Sequence, residues 1–143
     1  MDEIAHLLQL QDGTISRRQL IDTGLPVSSI RRLLRRRELT AVHPGAYVDH
    51  TGPLTWQQRA WSAVHACWPA ALAADSALRA AEGPGSRRPD QTIHLAVARD
   101  RRLAGPAGIV LHRIDRLDEV VQWNLGPPRV RLEAAAVDVA SAG

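Results

Sequence analysis

The chain has 143 residues, enough for one ordinary domain or for a small module joined to a second. Hydrophobic residues make up 45% and charged residues 23%, which excludes a disordered tail, and no apolar run approaches the roughly 20 residues of a membrane span. All 18 basic residues are Arg, set against 15 acidic ones for a net +3; residues 14–48 hold seven Arg against Asp22 and Glu38, a local +5. The rest of the chain sums to −2, so the positive charge gathers in one short segment, as phosphate binding requires. The single cysteine, Cys67, permits no internal disulfide, and the acidic start MDEIAHLLQLQD lacks the features of a signal peptide. A cytoplasmic location is the expectation.

In chain order, Ile4, Leu7 and Leu8 form the stripe of a short amphipathic helix that stops at Asp12-Gly13. Ser16 and Gln19 have the spacing of a capping box, opening a brief helix over 17–22, and Gly24 with Pro26 breaks the chain again. Ser28 is a candidate cap for a third helix, SSIRRLLRRRE, with Ile30, Leu33 and Leu34 as its buried stripe. Beyond Glu38 the period becomes extended: 39–42 and 46–48 flank His43-Pro44-Gly45, a strand, a tight turn and a strand. Thr55 caps a longer helix to about Trp68, with Trp61, Val64 and Trp68 on one face as core filler. Residues 70–82 read as an Ala-rich helix closed by Gly83-Pro84-Gly85. Strands are expected at 92–98, 109–114 and near 130–132, followed by a helix from Glu133. The fold class is therefore α+β: a winged helix-turn-helix over 1–50, then a mixed helix and strand region over 54–143.

The Arg cluster of the third helix is the strongest chemical signal. In a recognition helix the N-terminal side chains reach base edges and later ones meet the backbone. Ser28, Ser29, Arg31 and Arg32 are thus the base-reading candidates, because Arg can bond a guanine edge with two hydrogen bonds. Arg35, Arg36 and Arg37 are the phosphate contacts, joined by Arg17 and Arg18 from the preceding helix. His43 at the hairpin tip is a further backbone contact, whereas Tyr47 is expected to pack under the sheet. The bland alternative is a solvated charged helix. No two of the six His have the spacing of a metal site, and His65 reads as a hydrogen-bonded core residue. Asp90, Asp100, Asp115 and Asp118 read as solvated loop carboxylates. No cofactor, metal or catalytic activity is expected.

The segment GTISRRQLIDTGLPVSSIRRLLRRRELTAVHPGAYV resembles the N-terminal domain of AbiEi-type antitoxins, transcriptional regulators of type IV toxin–antitoxin pairs. LTWQQRAWSAV, AALAADSALRAAEG, TIHLAVARDRR and GPPRVRLEAAAVDVA are similar to actinobacterial members of that group. The resemblance implies an autorepressor that binds inverted repeats in double-stranded operator DNA at its own promoter. Its genetic partner would be a nucleotidyltransferase toxin, antagonised without a stable complex. Arg17, Ser28, Ser29, Arg31, Arg32, Arg35 and Arg36 occupy the DNA-contacting positions. The chain departs from the pattern at Arg37, where relatives commonly place Gly, and at Ala46 within Gly45-Ala46-Tyr47. It also stops where relatives continue into an endonuclease-like domain. Restriction-type nuclease sites pair an acidic cluster with Lys, and Lys is absent here, so a regulator is expected rather than an enzyme. The competing expectation is a protein-interaction module or a truncated, non-functional relative. The second half is expected to support the first or to contact a protein partner rather than DNA.

Overall fold

Ile4, Leu7 and Leu8 recur at helical spacing, and Asp2–Leu10 forms helix α1 in the computed structural model, which describes residues 2–88 and 92–136. The chain is mixed α and β, with two sheets, and divides into two compact units, Met1–Ala66 and Cys67–Gly143.

The first unit runs α1, β1 (Thr14–Ser16), α2 (Arg17–Asp22), α3 (Val27–Arg35), β2 (Thr40–His43), β3 (Ala46–Val48) and α4 (Trp56–Cys67). Its antiparallel sheet has the order β1-β3-β2, with Ile15 opposite Tyr47 and Ala41 opposite Tyr47 on the other edge. Strand β1 was not expected from sequence. Three residues are too few to show a period, and pairing to β3 is what makes them a strand. Ile15, Leu20, Ile30, Leu39 and Tyr47 form the core, with the α1 stripe and Leu25, Leu33 and Leu34 packed against it. The expected capping box is present, since Gln19 N–H donates to Ser16 Oγ and Ser16 N–H to Gln19 Oε1, each at 3.0 Å.

Helix α2 ends in a left-handed Gly24 (φ +94°), whose N–H donates to Ile21 O at 2.9 Å while Leu25 N–H donates to Leu20 O at 3.2 Å. Helix α3 differs from expectation at both ends. Ser28 is not its cap: Pro26 holds the N-cap position with extended backbone (φ −64°, ψ 150°) and no side-chain bond, and Ser28 lies inside the first turn. The helix stops at Arg35, short of Glu38, because Arg37 turns left-handed (φ +59°). Thr55 does cap α4, accepting from Gln58 N–H at 3.1 Å. The helix closes at Cys67, and Trp68 is 36% exposed instead of lying in a core.

The second unit contains β4 (Ala71–Leu72), α5 (Ala74–Glu82), a 3-10 turn (Gly83–Gly85), β5 (Ile93–Ala98), β6 (Ile109–Ile114), α6 (Leu117–Val120), β7 (Val121–Gln122) and β8 (Arg129–Val130). The sheet order is β6-β5-β4-β8-β7, with β5–β6 and β4–β8 parallel and the other pairs antiparallel. The expected helix over 70–82 is half right: residues 71–72 pair with Ala96 and Leu95, and the helix begins only at Ala74. Ala alone carries no strand signal, so tertiary pairing decides. Ala74, Ala77 and Ala80 are buried on α5, and their small side chains let the helix lie close on β5. The last strand is Arg129–Val130, shorter than read, and residues 132–136 are helical. The rest of the helix expected from Glu133 falls outside the described residues. Trp68 and Trp123 meet edge to face, centroids 5.6 Å apart.

Candidate nucleic-acid interface

Apolar spacing sets which way α3 faces. Ile30 is buried and Leu33 and Leu34 half-buried, which fixes the opposite face as the solvent face. At 3.6 residues per turn, Ser28, Arg31, Arg32 and Arg35 then fall within an arc of about 100°. All four are exposed, and Arg36 lies at the rim. Among the described residues, none of Arg31, Arg32, Arg35 or Arg36 forms an ion pair. Like charges at i, i+4 repel, so Arg31 with Arg35 and Arg32 with Arg36 weaken the helix unless a polyanion lies against it.

Two expected residues sit apart from this face. Ser29 is half-buried on the rim beside the apolar stripe. Arg37 leaves the helix in its left-handed conformation and lines a separate cleft with Leu34, Leu39, Thr40, Ala41 and Thr51. Its position completes a helix-ending motif: Arg37 N–H donates to Leu34 O at 3.1 Å and Glu38 N–H to Leu33 O at 3.0 Å. This is the geometry that Gly24 gives α2, achieved here without glycine.

Arg17 and Arg18 open α2 and are exposed, with Arg18 paired to Asp22 at 3.6 Å. Arg17 N–H donates to Gly45 O at 2.9 Å, which joins the start of α2 to the tip of the β2–β3 hairpin. The tip itself follows from sequence. Pro44 fixes φ near −65° and Gly45 takes φ +78°, the φ pattern of a type II turn. His43, at the end of β2, is half-buried, and burial holds its imidazole below the ordinary value of 6.5. At pH 7 it therefore brings a hydrogen-bonding group, not a charge, to the end of the hairpin. Tyr47 is buried under the sheet, as expected.

A buried polar network holds α2 in place; of its members the sequence announced only the capping box and His65 as a hydrogen-bonded core residue. The two side-chain amides of Gln11 and Gln19 bond reciprocally at 2.7 and 3.0 Å, and Gln11 Nε2 also donates to Thr14 O at 3.0 Å. The Thr14 hydroxyl donates to Gln11 O at 2.7 Å, so the contact from His65 Nε2 at 3.1 Å must be a donation to that hydroxyl. His65 accordingly carries a proton on Nε2. Burial, with the charge of Arg18 adding to it, lowers its pKa to about 4. Helix α4 also reaches the end of α1: Gln58 Nε2 donates to Asp12 O at 2.9 Å and Trp61 Nε1 to Asp12 Oδ2 at 3.2 Å.

Of the carboxylates read as loop residues, Asp118 lies instead in the first turn of α6 and accepts from Trp123 at 3.1 Å, Asp115 accepts from Arg99 at 2.7 Å, and Asp90 lies outside the described residues. No group of three metal-binding side chains gathers among the described residues. No protein-family model matches the chain, and no curated protein matches it.

Proposed function

We propose that the first unit is a winged helix-turn-helix that binds double-stranded DNA, with α3 in the major groove and the β2–β3 hairpin as its wing. The observation that carries this reading is the solvent face of α3, where three arginines without acidic partners and Ser28 share one narrow arc. The element order α1-β1-α2-α3-β2-β3 and the β1-β3-β2 sheet support it, as does the bond that sets Arg17 beside the hairpin tip. Ser28, Arg31 and Arg32 lie toward the N-terminal end and read base edges; Arg35, Arg36 and Arg17 hold phosphates.

The biological role we propose is that of a transcriptional regulator without catalytic activity. The resemblance to AbiEi-type antitoxins makes it an autorepressor of a type IV toxin–antitoxin operon, acting on inverted repeats with a nucleotidyltransferase as genetic partner. The deciding experiment is binding of the full chain to the DNA upstream of its own gene across a salt series. Each phosphate contact adds about −0.9 to the slope of log affinity against log salt, so the Arg35, Arg36 and Arg17 contacts give a slope near −3. A slope near zero, or equal affinity for random duplex at every salt, overturns the reading.

A further inference from the structure

Residues 54–143 hold 11 Arg against nine acidic residues, so the negative balance outside residues 14–48 comes from residues 1–13 and 49–53. Ten of those Arg and all nine acidic residues lie in the second unit, Cys67–Gly143, so charge does not keep anions away from it, and part of its positive charge is concentrated. Strands β5 and β6 run parallel from Ile93 opposite Ile109 to Ala98 opposite Ile114. Their connection, residues 99–108, must leave the C-terminal end of β5 and return about 20 Å, the length of a six-residue strand, to start β6.

Arginines pin this return. From β6, Arg113 donates to Arg101 O at 3.2 Å through Nε and to Leu103 O at 3.0 Å through its terminal nitrogen. Arg101 in turn donates to Cys67 O and to Pro69 O, the latter at 2.9 Å. Carbonyl bonds fix a guanidinium without cancelling its charge. Among the described residues none of Arg101, Arg102 and Arg113 forms an ion pair; of the arginines lining the cavity, Arg99 is the one that does, with Asp115 at 2.7 Å. These four arginines, with Asp100, Leu103 and Ala104, line an open cavity of about 670 Å³. Asp100 is the one carboxylate in that lining.

Three unneutralised guanidiniums around one concavity, two of them held by backbone carbonyls, form a preorganised anion site. Guanidinium bonds phosphate through paired N–H groups, and its charge persists at any physiological pH. A concave cluster suits a compact group better than the extended line of phosphates on a duplex, and the volume falls within the range of small-molecule sites. We propose that this cavity binds a compact polyphosphate group, as inorganic pyrophosphate or as the diphosphate of a nucleotide. The site is independent of α3 and does not rest on the DNA-binding reading.

The test is titration of the full chain with inorganic pyrophosphate at constant ionic strength, followed by backbone amide NMR, with sulfate as control. Saturating shifts confined to residues 99–104 and Arg113 are expected. Arg102 is exposed and its side chain braces none of the described residues, so Arg102→Glu and Arg102→Ala should fold as the parent does. Either should weaken binding roughly tenfold or more, the loss of one charge-assisted contact. Arg35→Glu on α3 should leave pyrophosphate binding unchanged whether or not α3 binds DNA. ADP binding as tightly as pyrophosphate assigns recognition to the diphosphate, and tighter binding extends the site to a nucleoside; both uphold the proposal. Shifts no larger than those with sulfate, indifference to both Arg102 variants, or a duplex that moves these amides when pyrophosphate does not would each overturn it.

Discussion

Arg37 and His65 are single residues whose conformation or protonation is held against their intrinsic preference. The left-handed backbone of Arg37 costs a side-chain-bearing residue about 1–2 kcal/mol, which glycine avoids. Arg37→Gly should therefore raise the free energy of unfolding by about 1 kcal/mol in urea titration. Because Arg37 lies off the α3 face, the same change should reduce duplex affinity less than Arg35→Ala does; an equal loss would return Arg37 to the phosphate contacts. His65 gives a pH prediction. Its folded pKa of about 4 lies below the ordinary 6.5, so as pH falls from 6.5 to 4 the unfolded chain takes up a proton that the folded chain refuses. Stability present above pH 6.5 is lost through that window, by about 3 kcal/mol when the lower pKa is passed. His65→Gln removes this titration but can still donate toward Thr14. The stability advantage of the parent over that variant should shrink from pH 7 to pH 4, and a constant difference would show that His65 is not held neutral.

At the scale of elements, α3 divides its arginines by distance from its N-terminal end, and substitution should separate them. Arg31→Ala or Arg32→Ala should cost about 1–3 kcal/mol on the cognate duplex and relax sequence preference. Arg35→Ala or Arg36→Ala should weaken cognate and random duplexes alike and lower the salt slope by about one. Equal losses on both duplexes from all four variants would remove base reading from this helix. Helix α2 is six residues long and depends on its cap and on Gln11 and Gln19. Ser16→Ala should cost about 1 kcal/mol of stability.

For the molecule as a whole, the first unit extends beyond the hairpin to Ala66, because α4 supplies His65, Gln58 and Trp61 to partners at Thr14 and Asp12. A chain of about 50 residues buries little surface and loses these partners as well. A fragment ending near residue 68 should show cooperative thermal unfolding and retain the duplex affinity of the full chain, whereas one ending near residue 50 should melt without a cooperative transition. A well-folded 50-residue fragment would show that α4 is dispensable.

Local signals carried much of the first unit. The Ser16–Gln19 box, the Ile30-Leu33-Leu34 stripe and the Pro44-Gly45 turn each encode their element within a few residues, because caps, helical period and turn dihedrals are short-range. The arginine face of α3 was legible for the same reason: once the apolar stripe is known, its opposite face is determined. Strands β1 and β4 were not legible, since two or three residues become a strand only when a distant partner offers its edge. The departure of Arg37 from the α3 face and the Gln11–Gln19–Thr14–His65 network likewise depend on backbone paths that bring together residues as many as 54 positions apart. The arginine cavity of the second unit has the same origin. Arg101, Arg102 and Arg113 become neighbours only because β5 and β6 pair in parallel and their connection must return along the sheet, and no property of the linear sequence sets that direction.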